Sequence, residues 1–510
     1  MSISTSEQVS PTPEVVGISN QQPRGNRRYS VALLVAATVT IFMLGYLLMV
    51  PTDPLIVGLL VILLVIALML FKIPVAISLL APAVLGLLVL SGPTALWSSL
   101  GALSFHSFAS WSLSVIPMFI LMGVALGKSG LMSAAYDTAR KWLGWLPGGL
   151  AVSANFASAG MAAASGSSVG IAYAVGRVSI PEMLRAGYRP SMAIGTVAAA
   201  GTLGQVIPPS VMLVIYAGIA ETPIGPQLLA GIIPGIILAI LFSVVIVIWA
   251  IVGKSAPPGK HYSLKERLAS LANLLPILVI VLLVLGGIYL GIFTATEAGA
   301  YGAAAALLLG VGALVRRSRK ATARGDDARI VPVVRKFFSD SFLEMVSSAA
   351  AIFLLLVGVN LLTRVMALSG VAQWTADVVV DAGFNQLGFL LMLIPVYLIL
   401  GFFLSTLEML LLTIPVFIGP LVALDVDLIW FGVFLIILAE IDMIAPPLGL
   451  LNFVVYGLAR SSVKGLGYRF TMVDVFKGVL PFIAVCLLVL VLLVLIPELA
   501  TWLPSTASLR

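Results

Sequence analysis

Ser165-Gly166-Ser167-Ser168 and Gly201-Thr202-Leu203-Gly204-Gln205-Val206-Ile207-Pro208-Pro209-Ser210 bound the stretch that decides the fold. Both pieces lie inside apolar sequence long enough to be embedded in a membrane. No helix runs smoothly through Pro208-Pro209, because two N–H donors are missing and the rings clash with the preceding turn. The serine-glycine tip is equally poor helix interior. Inside hydrocarbon, freed backbone groups are tolerated only where they line a cavity or are buried in protein. A small-residue hairpin tip and a broken helix at membrane depth are how secondary transporters build ion and substrate sites. The plainer alternative is a pair of proline-kinked packing helices.

Composition supports the first reading. Of 510 residues, 61% are hydrophobic and only 10% are charged, which excludes a soluble domain and implies a polytopic α-helical membrane protein. The net charge of +7 lies in short Lys/Arg clusters between apolar runs, so it marks inner-side loops and not a nucleic-acid surface. The single cysteine, Cys486, excludes an intrachain disulfide. His106 and His261 are far apart, so no metal site is expected.

Basic residues orient the runs. Arg24, Arg27 and Arg28 place a polar, disordered stretch, 1–30, in the cytoplasm, followed by an uncleaved anchor at 31–50. Spans at 54–71 and 73–90, an outer loop at 91–110 and a span at 111–127 follow. Residues 147–175 are flanked on both sides by basic residues (Lys128, Arg140 and Lys141 before, Arg177, Arg185 and Arg189 after), so they dip in and return as a re-entrant hairpin. A span at 192–220 is broken at Pro208-Pro209, and spans at 228–252, 274–293 and 298–315 end at a basic loop reaching Lys336. The second half has a span at 342–366, an outer hairpin at 387–422 interrupted near 401–408, a span at 429–458 broken at Pro446-Pro447, and a last span at 479–496. The count is eleven crossings and two hairpins, with the N-terminus cytoplasmic and the C-terminus periplasmic. Arg364 alone falls near an outer helix end, where it can snorkel.

The second half repeats the first. Lys128-Ser129-Gly130-Leu131 returns as Leu368-Ser369-Gly370-Val371, the tip at Ser165 has a counterpart near Ser405, and Pro208-Pro209 returns as Pro446-Pro447. In the topology above the first unit begins outside and the second inside, which makes them inverted repeats. The expected organisation is scaffold helices at 51–110, a first repeat at 111–227, scaffold and arm helices at 228–340, a second repeat at 341–460, and a closing loop and helix at 461–510.

These residues resemble the large membrane subunit of the tripartite ATP-independent periplasmic (TRAP) transporters. The matching stretches are ASGSSVG, IPEMLRAGYRPSMAIGTVAAAGTLGQVIPPSVMLVIYAGIAETPIG, AGIIPG, TATEAGAYGA, APPLG and GVLPF…PELATWLP, spread over 54–504. The resemblance implies an inner-membrane, sodium-driven elevator, with a scaffold and a moving transport domain. It implies two partners, a small four-helix membrane subunit and a soluble periplasmic binding protein, and a small organic solute, in most cases an organic acid such as a C4-dicarboxylate. Residues 31–50 are extra relative to a stand-alone large subunit; in fused members of the family a similar helix joins the two subunits.

By position, the resemblance puts a first sodium site at Ser165, Ser167 and Ser168 with carbonyls around Gly201, Thr202 and Pro208. Hydroxyls and carbonyls suit a hard cation held without full charge neutralisation. A second site would use Ser405 and Thr406 with carbonyls near Ile444, Ala445 and Gly449. Here the sequence departs from the family: Ser405 replaces a common aspartate, Ala445 a threonine and Leu451 an asparagine, with Asn452 one residue later. Glu408, Glu440 and Asp442 stand at membrane depth instead. Intramembrane acids are functional candidates by default. Ser167, Glu408, Asp442 and Asn452 are the candidates for substrate or coupling, and Asp442 has structural pairing with Arg364 as its alternative. Glu408 has precedent in family branches with aromatic or polyol substrates. Glu221 and Glu297 read as loop or turn residues. Sodium is the expected coupling ion, with proton linkage through Asp442 or Glu408 as the variant.

Three rival readings share part of this pattern. A stand-alone ion-coupled carboxylate transporter of the related superfamily shares the fold-level physics. A membrane enzyme needs a nucleophile, base or metal cluster that the sequence does not offer. A channel fits poorly with inverted broken-helix repeats.

Overall fold

The computed structural model describes residues 53–322, 330–463 and 468–508, without the side chains of 132, 133, 164, 165 and 320–322. The expected anchor at 31–50 and the stretch before it lie outside the described residues.

Every regular element among the described residues is helical. Eight helices are long and apolar enough to cross a membrane, or up to ten if each of two bent pairs counts as one span. The opening helix, Pro54–Leu70, starts where Asp53 accepts the Leu55 N–H at 2.8 Å, with proline in the first turn. Val75–Ala109 follows. The outer loop expected at 91–110 is instead the second arm of this helix. Gly92 (φ 75°, ψ 174°) with Pro93 kinks the chain, and the helix then resumes. Its arm has a helical apolar face that the polar residues between obscure in sequence: Leu96 and Ser107 are buried, and Phe108 stacks on Phe353 at 5.5 Å.

The repeat read from three short motifs extends through five elements. Leu131–Leu143, Gly149–Ser165, Ser168–Arg185, Pro190–Val206 and Val211–Ile219 recur as Val371–Asp381, Gln386–Leu400, Thr406–Ala423, Leu428–Ile444 and Leu450–Ser462, each displaced by 237–240 residues. Each unit is entered through a left-handed glycine, Gly130 (φ 70°) after Val115–Ser129 and Gly370 (φ 75°) after Ile330–Ser369. A residue with a Cβ is disfavoured there, which explains why glycine recurs at both joints. Both Pro-Pro bonds are cis.

Val75–Ala109, Val115–Ser129, Ala295–Thr322 and Ile330–Ser369 pack on one another. The two arms of the first hairpin, both broken helices, Ile232–Val252 and Met472–Leu495 form a second packed group. The close fit of this second group relies on missing side chains: a Cβ on Gly195 would lie 2.3 Å from the Gly478 carbonyl carbon. Buried Asn155 adds a polar tie, donating to Ala239 O (2.7 Å) and to Ser243 Oγ (2.9 Å).

Candidate functional site

The first hairpin turns where small residues permit it. Gly149–Ser165 ends at left-handed Gly166 (φ 60°), and extended Ser167 caps Ser168–Arg185 by accepting the Gly170 N–H at 3.2 Å. The first broken helix stops at Val206 and restarts at Val211, with Ser210 Oγ donating to Gln205 O (2.5 Å) and accepting from Leu213 N (3.3 Å). The tip lies in that break. A Cβ on Gly166 would lie 3.3 Å from both Pro209 O and Val211 N, and one on Gly204 would lie 2.9 Å from Ser167 C and Ser168 N. A Cβ on Gly201 would lie 3.1 Å from Ser168 O.

Three of the residues expected at the first site, Ser167, Ser168 and Gly201, therefore gather at one tip. Thr202 is buried with its hydroxyl on Ala199 O at 2.6 Å. Pro208 packs beside Gly231. The side chain of Ser165 lies outside the described residues.

Glu440, on the second broken helix, also reaches the first tip. Ser168 Oγ donates to Glu440 Oε2 at 2.8 Å, and both side chains are buried. The other carboxylate oxygen, Oε1, has no hydrogen-bond partner among the described residues, and neither does buried Gln205 Oε1. Gln205 was missed as a candidate, although a polar residue just before a Pro-Pro break is a readable signal. A buried carboxylate beside a serine hydroxyl is chemistry that suits a hard monovalent cation. No cluster of three His, Cys, Asp or Glu side chains occurs among the described residues.

The second site forms at the second tip and break. Glu408 is the third residue of Thr406–Ala423 and its carboxylate accepts the Ser405 N–H at 2.6 Å, so it caps the helix. Thr406 Oγ1 reaches Ala439 O at 3.5 Å. The break runs from Ala445 to Gly449, and Asn452 Nδ2 donates to Ile444 O at 2.8 Å. Leu428–Ile444 stays helical through Asp442, so Glu440 and Asp442 point to different sides. Asp442 faces the second tip: a Cβ on Gly401 would lie 2.2 Å from Asp442 Cγ. The pairing of Asp442 with Arg364 is not formed. The ion pairs among the described residues are Lys128–Glu344, Arg140–Asp137, Arg140–Glu182 and Lys141–Asp137.

Two cavities open at opposite ends of Val115–Ser129. One, of 620 Å³, reaches from Lys128, Tyr136 and Glu344 to Gly166, Ser167 and Gln205 at the first tip. Its rim carries the Lys128–Glu344 pair at 2.9 Å. The other, of 1050 Å³, lies at the Trp111 end and is lined by His106, Glu221, Thr222, Asn360 and Arg364. Glu221 (φ 54°) therefore stands at a cavity wall, while Glu297 is a helix cap that accepts from Thr294 N at 2.8 Å. His261 is exposed and lies apart from both tips, and Cys486 is buried.

Comparison with known proteins gives this arrangement a context. The family model described as the DctM component of the tripartite ATP-independent periplasmic transporter matches residues 62–499. The chain is 31% identical over 449 residues to the C4-dicarboxylate TRAP transporter large permease protein DctM of Vibrio cholerae, covering 87% of this chain and 96% of that one. It is 27% identical over 445 residues to the ectoine TRAP transporter large permease protein TeaC of Halomonas elongata, covering 87% and 97%. Among solved structures, the YdaH transporter of Alcanivorax borkumensis shares the fold with a TM-score of 0.56 at 16% identity, over 88% of this chain and 98% of that one.

Proposed function

The chain belongs to the DctM component family of the tripartite ATP-independent periplasmic transporters, and on that premise we propose that it is the large permease subunit of a sodium-coupled uptake system. In this reading it is a non-enzymatic carrier in the inner membrane. A soluble periplasmic binding protein delivers a small organic solute, a small membrane subunit completes the complex, and the solute crosses by an elevator movement.

One observation carries the proposal: the first tip, from one repeat, lines a cavity through Gly166 and Ser167 and is tied through Ser168 to Glu440 of the other repeat. A site shared by two repeats, with a second cavity at the opposite end, is what alternating access needs. The oxygens of Glu440, bonded to Ser168, and of Gln205, in the cavity with Ser167, support a cation near that tip. Sodium bound there lowers the free energy of a closed tip, so solute and ion move together. Ser167, on the cavity side, is the residue through which solute and tip meet.

Reconstituted uptake is the test. Transport in proteoliposomes is expected to need the binding protein, the small subunit and an inward sodium gradient. Uptake of free solute by this chain alone would assign it to the stand-alone class, and uptake indifferent to sodium would remove the sodium coupling.

A further inference from the structure

Gly170, Ala174 and Val178 bring one face of Ser168–Arg185 to the 620 Å³ cavity at a spacing of four residues. The next position in that series is Glu182, one turn beyond the cavity wall. Both of its carboxylate oxygens are taken by the short helix Leu131–Leu143. Arg140 Nη1 donates to Oε1 at 2.6 Å, and the Tyr136 hydroxyl donates to Oε2 at 3.0 Å. Arg140 and Tyr136 stand one turn apart on one face of that helix. Tyr136 is itself buried and lines the cavity together with Gly166 and Ser167 of the first tip.

The short helix has its own anchorage. Thr138 Oγ1 donates to Ser270 O at 3.0 Å and Trp142 Nε1 to Arg267 O at 3.1 Å, which ties its other face to Leu264–Val281. Asp137 holds the second guanidinium nitrogen of Arg140 at 2.7 Å. The hairpin arm, in contrast, has a weak point beside Glu182. Pro181 lies inside the helix and has no N–H to give, so the last turn is joined to the arm by one backbone bond fewer. The arm is thus tied at two places, at Ser168 to Glu440 and at Glu182 to Tyr136 and Arg140, roughly 21 Å apart at 1.5 Å per residue.

We propose that Glu182, Tyr136 and Arg140 form a clamp that positions the first tip, and that Glu182 sets where the arm carrying Ser167 and Ser168 stands against the cavity. The inference rests on the carrier function above and assigns positioning residues to it. With the clamp closed, the empty tip is held in the conformation that accepts solute and ion. With the clamp cut, only a fraction of molecules is competent, and each apparent dissociation constant is the intrinsic one divided by that fraction. Solute and sodium affinities therefore fall by the same factor, while the loaded carrier keeps its maximal rate.

The test measures uptake in proteoliposomes holding the full chain, the small subunit and the binding protein, with solute and sodium varied in turn. Tyr136→Phe keeps the ring in the cavity wall and removes only the hydroxyl, and Glu182→Gln removes the charge. Both are expected to raise the half-saturating concentrations of solute and of sodium by one common factor, at least about threefold, with the maximal rate kept within about twofold. Tyr468→Phe is the control, because the Tyr468 hydroxyl donates to Leu184 O at 2.6 Å on the same turn without lining the cavity. It is expected to leave both concentrations unchanged. Thermal transitions report folding, and Tyr136→Phe carries the test where Glu182→Gln fails to fold. Unchanged half-saturation overturns the proposal, and so does a fall in maximal rate alone. A rise for solute without sodium overturns it by making Tyr136 a solute contact. An equal rise in Tyr468→Phe overturns it by making any loosening of the turn sufficient. Sodium-driven uptake that persists with unaltered affinities removes the clamp alone. Uptake by the unmutated protein that ignores sodium removes the coupling instead, so the two failures are distinguishable.

Discussion

Gly195 and Gly478 meet backbone to backbone: a Cβ on Gly195 would lie 2.3 Å from the Gly478 carbonyl carbon and 2.4 Å from its oxygen. This contact sets the spacing between the first broken helix and the last long helix, since neither backbone has a flexible side chain to yield. Gly195→Ala is expected to cost about 1–3 kcal/mol through overpacking. Gly160→Ala, in the first hairpin arm with nothing within 4 Å of the added carbon, is the control and is expected to be neutral or stabilising. Thermal unfolding in detergent reads both, and equal transition temperatures for the two variants would remove the packing claim.

The Ser168–Glu440 hydrogen bond is expected to couple tip closure to ion binding. Ser168→Ala, which leaves a buried carboxylate without its donor, is expected to lower stability by about 1–3 kcal/mol and to weaken sodium activation of uptake. A double-mutant cycle with Glu440→Gln is expected to show non-additivity of about 0.5–3 kcal/mol. Strict additivity would mean that the two groups do not act together.

Insertion of the first hairpin is checked by accessibility. Single cysteines in place of Lys141 and Arg177, in a background without Cys486, are expected to label from the cytoplasmic face only. Labelling of the two from opposite faces would remove the re-entrant reading and, with it, the inversion of the repeat.

Asp137, on the amphipathic helix Leu131–Leu143 outside the spanning segments, supplies a pH prediction. Partial burial raises its carboxyl, but hydrogen bonds from Lys141 and Arg140 outweigh that and hold it below the usual aspartate value. A carboxyl depressed in the folded state stabilises above its unfolded pKa, and this contribution is lost as pH falls through the folded one. Asp137→Asn is expected to lower the melting temperature slightly at neutral pH, by under about 1 kcal/mol of stability because these pairs are partly exposed and screened. The gap to the unmutated protein is expected to close at acid pH. A gap that is constant across the whole range would show that the ion pairs contribute nothing.

Much of this was legible from the chain, for identifiable reasons. Prolines act through backbone chemistry alone, so the breaks at Pro208-Pro209 and Pro446-Pro447 could be read locally, whereas Gly130 and Gly370 were read only as recurring motifs and their left-handed conformation is a structural finding. The arm after Gly92 was missed because one glycine-proline step resembles a loop until the helix beyond it finds a packing surface. The contact of Glu440 with the first tip could not be read because its partner is 272 residues away, and no local rule specifies which face of a broken helix meets which tip. Glu408 read as a coupling candidate at membrane depth, and its capping role emerged only once the helix start at Thr406 was fixed. Asp442 stood out by charge alone, but its isolation from Arg364 is a tertiary fact.

The tie between Ser168 and Glu440 has a consequence for biogenesis. Translation runs from the N-terminus, so the first tip enters the bilayer long before the carboxylate that will hold it. Until the second broken helix is inserted, the Ser168 hydroxyl lacks its native partner. The last long helix, which meets Gly195 through Gly478, arrives later still. A nascent chain stopped anywhere before that point lacks Glu440 for Ser168 or Gly478 for Gly195, so the packing of the first half is completed only after the second half has been made.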